Sequence, residues 1–336
     1  MAASIAVLGG AGYIGSHMAK ALSRAGHEVA VFDNLSTGHL DAAFFGRFVR
    51  GDLRRRQDIG EFLREGRFDA VMHFAACCYV GESMENPSKY YDNNVLGTLN
   101  LLEAMREHRV GRLIFSSSCA TYGNPQRLPM DESHPQCPVN PYGVTKFAAE
   151  RAMADFSRAY DMRSVALRYF NAAGCDPEGE LGERHDPETH LIPLVLNEAL
   201  RVRSGGRPED TALRVNGGDF DTPDGTCVRD YVHVADLCDA HALALNRLME
   251  GKVDGFEAFN LGSERGASVR EVIAICRDVT AIDIRSSVGS RRPGDPAALV
   301  ADSRKARQQL GWAPRYENLR DVVRSAWEWF SKQAPA

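Results

Sequence analysis

The stretch Gly9-Gly10-Ala11-Gly12-Tyr13-Ile14-Gly15 follows directly on the apolar run Ser4-Ile5-Ala6-Val7-Leu8 and leads into a helical pattern of Ile14, Met18 and Leu22. A buried strand, a glycine cluster and a helix in that order form the βα turn that binds dinucleotides. The glycines permit a tight turn and let backbone N–H groups approach a pyrophosphate at the helix N-terminus, where the dipole favours negative charge. Gly10, Gly12 and Gly15 satisfy G-x-G-x-x-G, and Gly9, Gly12 and Gly15 satisfy a second spacing of the same kind. Tyr13, Ile14 and Gly15 open the helix and join the candidate cofactor residues.

A second apolar run, Val29-Ala30-Val31-Phe32, ends on Asp33 and is followed by Asn34. A carboxylate at that distance from the glycines can accept hydrogen bonds from both adenosine ribose hydroxyls and repels a 2′-phosphate. The expected cofactor is therefore NAD rather than NADP.

The net charge is −5 and no long basic block occurs, which argues against nucleic acid or an anionic membrane surface as partner. No stretch approaches the roughly 20 apolar residues of a membrane span, and the N-terminal apolar run reads as a strand rather than a signal segment. A cytoplasmic location is expected. Eight cysteines are scattered without C-x-x-C spacing, so neither a zinc site nor a disulfide framework is expected. Cys77 and Cys78 read as small residues lining a groove.

Strand-like runs at 4–8, 28–33, 46–50, 69–74, 111–116 and 163–169 alternate with helical patterns at 13–25, 57–65, 90–108 and 142–160. Such alternation implies a parallel sheet with right-handed crossovers and helices on both faces. The fold class is α/β: a Rossmann-type doubly wound parallel sheet over 1–170, with a smaller C-terminal α/β substrate-binding region over 171–336. Segments near 226–262 are expected to return to the first domain. Residues 171–190 and 203–226 read as long loops, which in compact proteins are usually functional or disordered. Helices are expected near 268–280, at 302–310 and through Trp327 and Phe330.

Tyr142 and Lys146, four residues apart on the helical pattern, share one helix face. Upstream, Ser116-Ser117-Ser118 ends an apolar strand. A strand-end serine, a helical tyrosine and its lysine behind a nucleotide fold form the proton-transfer set of short-chain dehydrogenases. Free tyrosine titrates near 10. A positive charge about 4 Å away is worth on the order of 4 kcal/mol at an effective dielectric near 20, roughly three pKa units. Lys146 and an oxidised nicotinamide are the two expected sources of such charge, and Ser118 would hold the substrate oxygen in line.

These motifs, together with His73-Phe74-Ala75-Ala76, Tyr90-Tyr91-Asp92-Asn93-Asn94, Leu167-Arg168-Tyr169-Phe170-Asn171, Val228-Arg229-Asp230-Tyr231-Val232-His233 and Arg291-Arg292-Pro293-Gly294-Asp295, resemble the UDP-glucose 4-epimerase family of extended short-chain dehydrogenases. The resemblance spans essentially the whole chain, and the segments 167–171 and 228–234 are its most specific part. It implies interconversion of UDP-galactose and UDP-glucose by oxidation at C4, rotation of the 4-keto sugar and re-reduction by bound NAD. It also implies that Asp52 and Leu53 lie near adenine, that Phe74, Ala75 and Ala76 line the groove, that Asn93 supports the pyrophosphate region and that Phe170 lies by the nicotinamide. Asn171, Arg229, Arg292 and Asp295 would hold the UDP part. His190, beside Leu191, stands where some members use Asn, Cys78 where some carry Lys, Leu299 where some carry Tyr, and Leu8 where Thr is frequent. Leu299 would lie on the sugar-pocket wall and admit N-acetylated sugars in part. A homodimer through helices 90–108 and 142–160 is a further implication.

A dehydratase on the same fold would need a carboxylate after the serine position, and Cys119-Ala120 cannot perform that acid step. A UDP-pentose 4-epimerase would use the same residues and stays open. A non-catalytic NAD-sensing module would typically lack the tyrosine or the lysine, and both are here.

Overall fold

The computed structural model describes residues 2–333. Its strands are β1 (Ser4–Leu8), β2 (Glu28–Asp33), β3 (Arg47–Arg50), β4 (Ala70–His73), β5 (Arg112–Ser118), β6 (Arg163–Tyr169), β7 (Asn171–Ala173), β8 (Arg214–Asn216), β9 (Val228–His233), β10 (Phe256–Leu261), β11 (Gly266–Ser268), β12 (Ser287–Gly289) and β13 (Ala298–Leu299). Seven form one sheet in the order β10-β6-β5-β4-β1-β2-β3, with every pair parallel. The order reverses around β1, so the crevice where ligands bind such sheets opens beyond its carboxyl end, at the glycine turn.

Both faces of this sheet are covered. Val7, Met72 and Leu167 pack with Met18 and Leu22 of the Tyr13–Arg24 helix and with Leu237, Leu245 and Leu248 of the Val234–Met249 helix. On the other face Leu8, Val71 and Leu113 meet Phe62 and Leu63 of Arg56–Gly66, Leu102 and Met105 of Gly97–Glu107, and Met153 of Pro141–Tyr160. Burying each helix's apolar stripe this way is the main source of its stability, since isolated helices of this length are marginal.

Beyond β6 the chain builds a smaller unit. β11, β9 and β13 form a short sheet with β7 paired to β9, and β8 pairs with β12. Its core joins the helices Leu191–Arg203, Val269–Thr280 and Leu319–Gln333 through Val195, Leu196, Ile273, Val323, Trp329 and Phe330. The chain returns to the large sheet at β10. Among the described residues no helix is long and apolar enough to cross a membrane.

Two long helices, and the short Val80–Glu85, escaped the sequence reading. Leu191–Arg203 buries Ile192, Val195, Leu196 and Ala199 at helical spacing, but Pro193 obscures the pattern. In the first turn proline is tolerated because its missing N–H would have no intrahelical partner. Val234–Met249 carries the polar residues Asp236 and His241 on its buried face, which breaks the apolar period. The expected helix at 90–108 is an irregular run: Pro87–Tyr90, a π-helical Tyr91–Leu96 and then Gly97–Glu107.

Candidate active site

Gly9 has φ +74°, and a Cβ there would sit 2.5 Å from the Ala75 backbone nitrogen. A Cβ on Gly15 would lie 2.2 Å from the Gly9 carbonyl oxygen, so neither position accepts a side chain. Gly12 caps the Tyr13–Arg24 helix without any side-chain hydrogen bond, which leaves the first-turn N–H groups to a ligand. Asp33, at the end of β2, is held by backbone: Ala11 N–H donates to one carboxylate oxygen at 3.0 Å and Leu35 N–H to the other at 2.8 Å. Burial raises the Asp33 pKa, and these donors oppose the rise. An uncapped helix end on a glycine turn, with a braced carboxylate beside it, is the donor and acceptor set that a dinucleotide requires.

From this turn a single cavity of about 400 Å³ runs across the strand ends into the smaller unit. Gly9, Gly12, Tyr13, Ile14, Gly15, Phe74 and Ala76 line one end. Ser118, Tyr142, Lys146 and Phe170 line the middle, with Cys77 and Cys78 beside them. Asn171, His190, Leu191, Arg229, Arg292, Asp295 and Leu299 line the rest.

Asp33, Asn34, Asp52, Leu53, Ala75 and Asn93 stand outside this lining. The Asn34 amide donates to Asp52 at 3.3 Å, and Arg54 holds the Asp52 carboxyl down to about 2. Leu53 is buried in the core, and its carbonyl accepts from Asn100 at 2.9 Å. Ala75 serves through its backbone, against which Gly9 packs. Asn93 donates to its neighbour Asn94 at 2.9 Å. Asn94, not singled out from the sequence, is buried and ties three segments together. It accepts from Cys77 N–H at 2.8 Å and donates to the Cys77 carbonyl and the Thr145 hydroxyl, each at 3.0 Å. The π-helical turn carries Asn94, as such bulges often carry functional residues.

Pro141–Tyr160 starts on Asn140, whose side chain accepts from Gly143 N–H at 2.8 Å. Its first turn presents Tyr142. Lys146 is buried; it donates to the Ser116 carbonyl at 2.6 Å and lies 6.0 Å from the centre of the Tyr142 ring. Burial pushes Lys146 down to about 8, while Cys78 and Glu150 favour its charged form. In the protein alone burial also pushes the Tyr142 hydroxyl well above its ordinary value, against a lowering by the Ser118 hydroxyl. The sequence expectation added the charge of oxidised nicotinamide to that of Lys146; in the protein alone desolvation is the larger effect. Burial drives Cys78 up to about 12, so it is a protonated, unreactive wall residue.

The far wall is basic overall. Arg292 donates to both Asp295 oxygens, at 2.9 and 3.1 Å, and Arg229 approaches the same carboxylate at 3.6 Å. One guanidinium forked on the carboxylate and a second beside it leave a net positive charge suited to a diphosphate. Asn171 donates to the Asp230 carbonyl at 3.1 Å, joining β7 to β9. Leu299 packs with Cys119, Tyr122, Met130 and Phe170 and stands opposite Arg229 in the β13–β9 register. Tyr79, Glu183 and His185 also line the cavity and were not singled out from sequence. For the last two, the histidine- and glutamate-rich composition of 171–190 was the available signal.

The sequence model of the NAD dependent epimerase/dehydratase family matches residues 5–262. A UDP-glucose 4-epimerase of Rhizobium meliloti is 48% identical over 330 residues, covering 98% of each chain. The crystal structure of UDP-glucose 4-epimerase from Brucella ovis in complex with NAD superimposes with a TM-score of 0.91 at 49% identity, covering 98% of both chains. That from Bifidobacterium longum in complex with NAD+ and UDP gives 0.91 at 35% identity, again over 98% of both. The chain belongs to the NAD dependent epimerase/dehydratase family.

Proposed function

We propose that this member of the epimerase/dehydratase family is a UDP-glucose 4-epimerase that interconverts UDP-galactose and UDP-glucose. The observation that carries the reading is one continuous cavity with the glycine turn at one end, Tyr142, Lys146 and Ser118 in the middle and Arg229, Arg292 and Asp295 beyond. The reaction is oxidation at C4, rotation of the 4-keto sugar and re-reduction on its other face. NAD, when bound, supplies the hydride acceptor and returns the hydride. The glycine turn and Asp33 hold the dinucleotide, with residues 1–170 forming its domain and most of 171–336 the UDP-sugar region.

Tyr142 accepts the proton of the sugar 4-hydroxyl and later gives it back to the 4-keto oxygen. Because burial holds the lone phenol protonated, proton acceptance needs the positive charge of the oxidised cofactor added to that of Lys146. Ser118 holds the sugar oxygen beside Tyr142. The arginine wall binds the diphosphate while the sugar turns, so recognition falls on UDP. The purified protein should convert UDP-galactose to UDP-glucose without added NAD. Absence of conversion even with NAD supplied would overturn the reading, and turnover confined to UDP-arabinose and UDP-xylose would redirect it to a pentose epimerase.

Leu299 is proposed as the sugar gate. Overpacking typically costs about 1–3 kcal/mol, so Leu299→Tyr should lower kcat/KM for UDP-N-acetylgalactosamine relative to UDP-galactose by roughly 5- to 150-fold. An unchanged ratio in the two kinetic series removes Leu299 from that role.

The enzyme is further proposed to act in the cytoplasm as a homodimer. All eight cysteines are free, which suits a reducing compartment. Of the apolar stripes expected to pair, Leu102, Met105 and Met153 are buried against their own sheet, whereas Tyr91, Leu96, Leu99 and Tyr160 face outward on the same two helical runs. Light scattering should give twice the chain mass of 37.0 kDa, and Leu99→Asp should shift it toward the monomer. A monomer mass for the unmodified protein at micromolar concentration counts against pairing.

A further inference from the structure

We propose that Glu183, His185, Glu188 and His190 form a binding site for a divalent cation of the zinc class on the wall of the cavity. One ligand atom from each of the four lies within 4.8 Å of every other. His190 Nδ1 is 2.6 Å from Glu183 Oε1, and His185 Nδ1 is 3.6 Å from the same oxygen and 3.3 Å from Glu188 Oε2. Zinc bound tetrahedrally by imidazole nitrogen and carboxylate oxygen at about 2.0–2.2 Å sets its ligands roughly 3.3–3.5 Å apart. His185 already stands at about that spacing from both carboxylates, whereas His190 and Glu183, now in hydrogen-bond contact, would have to separate to share a cation.

The carboxylates of the set are enclosed by protein. Both carboxylates are largely removed from water, with side-chain exposures of 3% for Glu183 and 11% for Glu188. Two such groups at close range are compensated here by His185 and His190, a place that a divalent cation could take between the four. Among the described residues neither carboxylate pairs with a lysine or an arginine; only His185 and His190 approach them. Arg184, between them in sequence, turns away to Asp41 at 3.0 Å. The nearby acidic group Asp176, Glu178 and Glu180 differs, because Lys20 lies within 2.8 Å of all three.

The shell is also braced from behind. The free oxygen of Glu188 accepts from Thr189 and His190 N–H at 2.8 and 2.9 Å, which fixes the carboxylate as outer contacts of metal ligands do. Tyr13 and Tyr79 meet the His185 ring edge-on, and the buried Tyr79 hydroxyl has no hydrogen-bond partner of its own. A cation here would pin segment 183–190 as the cavity wall ahead of the Leu191–Arg203 helix. The cysteine spacing that argued against zinc bears only on thiolate sites.

The test uses the full-length protein, freed of metal by chelation and dialysis. Titration with zinc chloride, followed by calorimetry, should show saturable binding of about one equivalent and a rise in melting temperature. Cobalt(II) should give the intense visible absorption of a tetrahedral nitrogen–oxygen site. His185→Gln with Glu183→Gln should lower zinc affinity at least 100-fold, as loss of two ligands from a four-ligand shell requires, and should abolish the melting shift. Absence of saturable binding, an octahedral cobalt spectrum, or unchanged affinity in the double variant would overturn the proposal. In that case the four groups are two histidine–glutamate hydrogen-bonded pairs. The cobalt spectrum of the unmodified protein decides even if the double variant fails to fold, and none of these readouts depends on sugar turnover.

Discussion

Tyr142→Phe should leave the fold and cofactor retention intact and lower epimerase turnover by about 10²–10⁴-fold, the range that a positioned proton carrier contributes. The phenyl ring keeps the volume of the buried side chain, so the Pro141–Tyr160 helix and its contact with the cavity persist. What disappears is the one hydroxyl on this helix face that lies beside Ser118 and near Lys146. The neighbouring thiols are poor substitutes, since burial raises Cys78 and Cys119 to about 12. The measurement is kcat for UDP-galactose, with retained dinucleotide read from the absorbance of the denatured supernatant. Turnover within a few-fold of the unmodified enzyme would remove Tyr142 from the proton path.

The largest effect on stability is expected at Glu150. One turn beyond Lys146, its carboxylate accepts from Arg168 Nε at 2.9 Å and Nη2 at 2.6 Å, from Gln136 at 3.0 Å and from the Ser117 hydroxyl. Arg168 in turn donates to the Tyr122 hydroxyl at 2.9 Å, and that hydroxyl donates to Asn260 at 2.7 Å. Side-chain exposures of 2% for Glu150 and 5% for Arg168 mean that water cannot replace a missing partner. Glu150→Ala leaves the guanidinium buried and unpaired, at a cost of about 3–5 kcal/mol. Chemical denaturation should show the midpoint falling accordingly. Glu150→Leu combined with Arg168→Met removes both charges and should recover much of the loss, because desolvation of the pair offsets most of its attraction. A loss below about 1 kcal/mol in the single variant would mean the network contributes little.

The network was not visible in the sequence, although Arg168 stood inside a recognised motif. Glu150 reads as an ordinary polar residue on a helix. Its partners lie on β5, β6 and the loop before Pro141, brought together only when the helix docks on the sheet. Asn93 and Asn94 make the same point at finer scale. As neighbouring, identical residue types they cannot be ranked by pattern, and the local π-helical winding decides which one turns inward.

Leu102, Met105 and Met153 show where apolar periodicity stops being informative. A helix that packs on a sheet and one that also meets another molecule both need apolar residues, and spacing does not say which residue serves which face. Tertiary packing separated them, leaving Leu99 and Tyr160 outside.

What the sequence by itself determined is local chemistry: a glycine turn after a strand, a carboxylate ending the next strand, and a tyrosine and lysine one helical turn apart. Each follows from backbone sterics or helix geometry acting over a few residues, and parallel-sheet topology then brings all of them to the carboxyl-end side of one sheet. Only the tertiary structure decided the burial of Tyr142, the charge balance of Arg229, Arg292 and Asp295, and the lack of a lysine or arginine salt bridge to Glu183 or Glu188 among the described residues. These are sums over desolvation and charges distant in sequence. Such sums acquire values only when burial and distance are fixed by the packed chain.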